Sequence, residues 1–293
     1  MPEAAAETDA QHTRKPLSEL TKKKYTQAIK RVTDAVIDIE NPDEVLEWMK
    51  TANADGEPLG ESAQKVYLSA LKYHFSMINK PFPKKYQEAI DKFLIRMVAK
   101  EEEQMLSPSQ VTNFVPYEQL LKVQQDLGAI PDKTEYQWKK YLIASLYTLN
   151  APIRADYGDM RVVRRSDPRS LSNQLVWTLK PYFLLREYKT KEAYGTVRID
   201  VSPELKTVIQ GWFEHLGKRP RFLLGSKISP NVLLTEIVDA FKKTGKNVGI
   251  NLLRHAYIKH HFPALKTIKQ KEELARRMLH SRDRQEQYNS QNV

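Results

Sequence analysis

Three side chains near the end of the chain are of types that, together, could work on a phosphodiester. Arg254 offers a planar, always-charged fork for two phosphate oxygens, His280 a hydrogen-bond donor near neutral pH, and Tyr288 a hydroxyl able to attack phosphorus. They share a stretch in which residues 250–291 carry nine Lys/Arg against four Asp/Glu. Such an excess suits contacts to phosphate oxygens, so any reading of sequence in a polyanion would have to come from elsewhere.

The whole chain agrees with that polarity. Its 293 residues suit two domains, and a hydrophobic content of 41% is enough for packed cores. A net charge of +11 and a pI near 9.5 favour a polyanionic partner. There is no cysteine, which excludes disulfides, thiolate nucleophiles and Cys-ligated metal centres. The first residues have neither the apolar core of a secretory signal nor the look of a transit peptide, and no apolar run approaches the roughly 18 residues that span a bilayer. The expectation is a soluble intracellular protein.

The elements that must position these residues can be read from capping and spacing. Residues 1–16 are polar and small, and are expected as a disordered tail. Ser18 is a candidate N-cap, followed by Leu20, Tyr25, Ile29, Val32 and Val36 at helical spacing. Asn41-Pro42-Asp43 closes that helix and opens a short one; Glu61 to Ile78, with Val66, Leu68, Leu71 and Phe75 on its apolar side, and Pro83 to Glu103 complete a helical bundle. Residues 104–114 are expected as a linker, and the second domain as 115–293. There, helices are expected over Tyr117 to Leu127 and Glu135 to Leu149, ending at Asn150-Ala151-Pro152 just before Arg154. Alternating stretches from Gln174 to Leu179, Pro181 to Tyr188 and Thr196 to Val201 predict strands, with the turn YKTKEAYG between the last two. Helices from Pro203 to Leu216 and Pro230 to Thr244 lead to the basic segment. The fold class is therefore α+β, mostly helical, with a small antiparallel sheet. No Gly-rich phosphate loop, internal repeat or His-Glu-x-x-His spacing is present.

Set in order, Arg154, Lys189, Arg254, His280 and Tyr288 resemble the catalytic series of the tyrosine recombinases and integrases: an arginine between two helices, a lysine at a hairpin turn, Leu-Arg-His, then Leu-x-His-Ser and a near-terminal tyrosine. Singly, each has an ordinary explanation as a solvated or capping side chain; the ordered set does not. The wording Pro152-x-Arg154-x-Asp156-Tyr157 is closest to recombinases of large eukaryotic DNA viruses and mobile elements. Lys191 is the alternative to Lys189. One departure matters: Asn251 stands where a histidine usually precedes the second arginine by three residues, and asparagine cannot carry a proton at neutral pH.

The resemblance implies residues 17–103 as a DNA core-binding domain and 115–293 as the catalytic domain. It further implies strand cleavage through a 3′-phosphotyrosyl intermediate without ATP, metal or other cofactor. Double-stranded DNA would be the partner, with a homotetramer on two sites and a dimer or monomer off DNA, located wherever the target DNA is. Five residues follow Tyr288, so a C-terminal docking helix is expected to be short or missing. His255 is read as bracing Arg254, Tyr257, His260 and His261 as core or DNA-facing, and Met278 and Leu279 as core. The alternatives are a type IB topoisomerase-like relaxing enzyme and a non-catalytic DNA-binding protein on a decayed recombinase scaffold.

Overall fold

A computed structural model describes residues 17–35, 38–52, 56–102 and 108–279, with the backbone alone for 97–102 and 108. The expected N-terminal tail, His280 and Tyr288 lie outside the described residues. The chain divides into two compact units, Met1–Glu103 and Gln104–Val293.

In the first unit α1 (Glu19–Asp34) starts where Ser18 caps it, its hydroxyl accepting from the Thr21 N–H at 3.2 Å. The next helix, α2 (Pro42–Trp48), uses Asn41 as its cap and Pro42 in its first turn. They pack with α3 (Glu61–Met77) and α4 (Lys84–Glu102) around Val32, Val45, Tyr67, Leu71, Phe75 and Tyr86. Buried Tyr86 donates its hydroxyl to the Ile39 carbonyl at 3.0 Å, so its polar end is satisfied. Two residues expected on apolar faces are not there: Leu20 is 65% exposed and Val66 41%. One residue's step around a helix is about 100°, and the buried face of α3 is taken by Tyr67, Leu68, Leu71 and Phe75, which leaves Val66 at its margin in an open groove beside Lys24 and Ala28 of α1.

The second unit begins with α5 (Pro108–Asn113), inside the stretch expected as a linker. This turn of helix is tied down locally: the Asn113 side chain accepts from the Asn247 N–H at 2.8 Å, and Lys246 Nζ donates to the Thr112 carbonyl at 2.6 Å. Next come α6 (Tyr117–Ala129) and α7 (Glu135–Thr148), the latter opened by a reciprocal capping box between Thr134 and Gln137. A four-stranded sheet follows in the order β1 (Arg161–Val163), β2 (Gln174–Val176), β3 (Tyr182–Leu185), β4 (Val197–Asp200). Pairs β2–β3 and β3–β4 are antiparallel, but β1 runs parallel to β2, with Arg161 opposite Gln174 and Val163 opposite Val176. The sheet is thus mixed, not wholly antiparallel as expected, because the 164–173 connection doubles back before β2 starts. Between β3 and β4 lies a single helical turn, α8 (Lys191–Tyr194), where a plain turn was expected.

The remaining helices are α9 (Pro203–His215), α10 (Pro230–Ala240), α11 (Ile250–His261) and α12 (Ile268–Arg277). Trp212 of α9 is fully buried, and its indole N–H donates to the Leu223 carbonyl at 2.9 Å. Tyr147 of α7, Tyr157 and Phe183 of β3 meet edge-on, with ring centres 5.5 and 5.4 Å apart. This aromatic series joins α7 to the sheet beneath the Arg154 turn. Met278 and Leu279 are fully buried, as expected of core residues.

Gly158 closes the turn after Arg154, and its carbonyl accepts from the Ile228 N–H at 2.9 Å. A Cβ there would lie 2.7 Å from the Ile228 carbonyl oxygen, a backbone atom. Its φ of −65° suits alanine, so only the clash is at issue. Gly158→Ala is expected to lower stability by about 1–3 kcal/mol in urea titration. A loss below about 0.5 kcal/mol would mean that the backbone around Ile228 retreats freely.

Candidate active site

The site begins where α7 stops. Pro152 cannot continue a helix, and buried Asn150 fixes the chain's exit: its Nδ2 donates to the Asp200 carbonyl at 3.1 Å and its Oδ1 accepts from the Ser202 N–H at 3.1 Å. Residues 151–153 are buried, and Arg154 emerges next to a 3-10 turn over Ala155–Tyr157. The Tyr147 hydroxyl donates to the Arg154 carbonyl at 2.9 Å, holding the arginine's backbone from below.

Arg254 reaches the same place from a hundred residues away. It sits on α11, only 2% exposed, and its Nη1 donates to the Pro152 carbonyl at 2.8 Å. Both guanidinium charges act on Asp156 and favour its ionised form, yet burial outweighs them and the carboxyl is pushed up to about 6. Arg154 Nη1 and Asp156 Oδ2 are buried and make no hydrogen bond among the described residues. Two permanent cations and one carboxyl poised near neutrality therefore share one small volume.

The tyrosines beneath this volume are poor nucleophiles. Tyr147 and Tyr157 are completely buried, and desolvation holds both hydroxyls far above the ordinary phenol range. Tyr257 is shifted the same way by burial. His255, directly after Arg254, is buried as expected, whereas Asn251 is exposed on the first turn of α11. Asn251 and Arg254 are three residues apart along one helix side.

Lys189 lies on the connection from β3 to β4 and is exposed. That connection is braced at its base: Asn173 Oδ1 accepts from the Arg186 and Glu187 N–H groups at 2.9 and 3.0 Å, and the Tyr188 hydroxyl donates to the Gly195 carbonyl at 2.7 Å. Burial raises Tyr188, and the Asp156 charge adds to the shift, so the root of the lysine loop lies within the field of the arginine pair's carboxyl. The alternative lysine, Lys191, is in an ion pair with Glu187 at 2.6 Å.

Sequence reasoning gave no part to Asp156 itself or to Arg277. The Arg277 charge acts on Tyr157, Tyr257 and His261, and Arg277 lines a cavity of about 430 Å³ with His261, Lys269 and Glu273. The only signal for either was its place inside the arginine motif or the basic run. His260 pairs with Glu118 at 2.7 Å, while burial lowers His261 to about 4. Among the described residues no group of three His, Asp or Glu could hold a metal ion, and no helix is long and apolar enough to cross a membrane.

No family model matches the sequence, and no curated relative is found by sequence. Solved structures do match. A lambda integrase fragment, residues 75–356, solved as a dimer bound to a COC′ core site, superposes with a TM-score of 0.54 at 11% identity, covering 94% of this chain and 90% of that one. This is the tyrosine-recombinase fold. XerA recombinase covers 94% of this chain and XerH recombinase, bound to its difH substrate, 91%, at 12% identity and a TM-score of 0.44 each; the fold assignment rests on the lambda integrase superposition. In this chain the α7 exit and α11 supply the two arginines whose charges act on Asp156.

Asp156 gives this site a pH dependence with a definite sign. Its folded-state pKa lies above the ordinary 3.8, so between about pH 4 and 6 the native chain holds a proton that the unfolded chain has released. The stability tied to the neutral carboxyl is present in full below that window and is lost as the pH rises through 6. Asp156→Asn is expected to remove this slope, so that its stability relative to the parent improves by roughly 3 kcal/mol between pH 4 and 7. Parallel stability curves for the two proteins would show a carboxyl ionised throughout.

Proposed function

We propose that the chain is a site-specific DNA recombinase or integrase that cuts and rejoins strands through a covalent 3′-phosphotyrosyl link. One observation supports this above all: Arg154 and Arg254, a hundred residues apart, act on the same buried carboxyl within a recombinase fold. Two fixed guanidinium groups are suited to a phosphate's non-bridging oxygens, where preorganised charge contributes most to phosphoryl transfer. A phosphate oxygen would also give the buried Arg154 Nη1 an acceptor.

In this reading the Tyr288 oxygen bonds to phosphorus as the bond to O5′ breaks. The phenolic proton goes to water, and the Lys189 ammonium gives its proton to the departing 5′-oxygen. An unperturbed phenol is only about 0.1% ionised at pH 7, so the developing charge needs the nearby cations. His280 donates to a non-bridging oxygen, and Asn251 orients another without carrying a proton. A 5′-hydroxyl of another strand reverses the step, so bond energy is conserved and no ATP, metal or other cofactor is consumed.

Double-stranded DNA is the proposed partner, with the helical unit of residues 17–103 and the unit of 115–293 each contributing contacts to it. Joining two sites calls for a homotetramer on DNA, built from dimers or monomers. The wording around Arg154 favours a viral or mobile-element setting, which would place the protein wherever that DNA is processed.

Tyr288→Phe is expected to abolish the covalent adduct on nicked duplexes while shifting the binding midpoint in gel mobility by less than about threefold. Arg154→Ala or Arg254→Ala should slow adduct formation on the order of a hundredfold or more. An adduct that survives Tyr288→Phe would remove this tyrosine from the role. Binding without any adduct from the parent protein would favour the decayed-scaffold reading, and plasmid relaxation without joining of two sites the topoisomerase-like one.

A further inference from the structure

We infer that Thr190 is a positioning residue for Lys189, its hydroxyl joining the lysine loop to the buried Leu279 at the end of α12; this deepens the proposed function and rests on it. Thr190 Oγ1 donates to the Leu279 carbonyl at 2.9 Å, across 89 residues of sequence.

Leu279 is held unusually firmly. It is fully buried and has φ of +56°, a left-handed conformation that a branched apolar residue adopts only when its surroundings impose it. Its N–H donates to the Arg276 carbonyl at 3.1 Å, tying it to the end of α12, and its carbonyl takes the Thr190 hydroxyl. Remove that donor and a buried carbonyl in a costly conformation loses this partner.

On the other side, Thr190 immediately follows Lys189. The loop is braced at its root by Asn173 and Tyr188, and the Lys191–Glu187 pair is exposed and worth little. The Thr190 bond ties the lysine's own neighbour to the end of α12. In the proposed reaction, Lys189 must meet the leaving oxygen of the phosphate. A loop free to move away from Leu279 would lose the alignment on which proton transfer depends.

The test uses full-length protein carrying Thr190→Val, which keeps the side chain's shape but removes the donor, and Thr190→Ser, which keeps the hydroxyl. In hydrogen exchange without DNA, the valine variant is expected to speed exchange in residues 186–196 and 276–279 together, about five- to tenfold, the equivalent of one neutral hydrogen bond. Amides of α7 and α9 should not move, and serine should restore parent behaviour. Faster exchange in only one of the two segments, or in neither, overturns the coupling.

Its chemical consequence is read on nicked duplexes, chosen from randomised sequence by covalent capture with the parent protein. Thr190→Val should slow capture on the order of tenfold with oxygen at the 5′ position, with gel-shift binding unchanged. With a bridging 5′-sulfur the deficit should largely disappear, because a thiol of pKa about 8.5 departs without being protonated. Equal deficits with both leaving atoms overturn the claim that Thr190 acts through Lys189. If the parent captures no duplex at all, the recombinase reading fails and takes this catalytic role with it, while the exchange data still decide whether the two segments move as one.

Discussion

A guanidinium taken out of water is the constraint around which the second unit is built. Arg254 cannot shed its charge, and removing such a group from solvent costs several kcal/mol unless hydrogen bonds and opposite charge offset it. The Pro152 carbonyl supplies one acceptor, and Asp156 the nearby carboxyl. That carbonyl is available because α7 has ended, and α7 ends there because Pro152 cannot extend it and Asn150 bonds to the end of β4. Helix end, sheet edge and α11 are thereby locked into one arrangement by groups that would be costly to leave unpaired.

The competition at Asp156 decides what this arrangement offers a ligand. Two cations favour the ionised carboxyl, but desolvation prevails and pushes it up to about 6. Below about pH 6 the site carries the charge of two guanidinium groups with little internal compensation; above it, part of that charge is neutralised from within. A phosphodiester brings its own negative charge and would favour keeping the proton on Asp156. The buried phenols of Tyr147 and Tyr157 serve a different purpose: their edge-on packing with Phe183, with roughly 1.5–3 kcal/mol for each large side chain buried, exceeds what a single hydrogen bond contributes and gives the arginine turn a stiff floor.

The lysine loop is ordered by different means. It has little apolar burial beyond Tyr188, so its position depends on hydrogen bonds from Asn173, Tyr188 and Thr190. Each such bond contributes about 1 kcal/mol, little enough for the loop to open and close at modest cost.

Much of the architecture was legible in local chemistry. Ser18, Asn41-Pro42 and the Pro203 and Pro230 starts mark helices because capping and proline geometry act within a few residues, and strand alternation located β2 to β4. Local spacing could not say that Val66 would turn outward, that β1 would join the sheet parallel, or that Pro108–Asn113 would form a helix tied to residues 246 and 247. For the site, the order of arginines and lysine was readable, as was the burial of His255, Met278 and Leu279. Only the tertiary structure decided that the Arg254 fork lands two residues from Arg154, that burial pushes the Asp156 carboxyl up to about 6, and that Thr190 grips Leu279. The division has a physical cause: caps and periodicity depend on neighbours within a turn or a strand. Desolvation and long-range hydrogen bonds depend instead on which surfaces the packed core brings together, and no spacing in the chain records that.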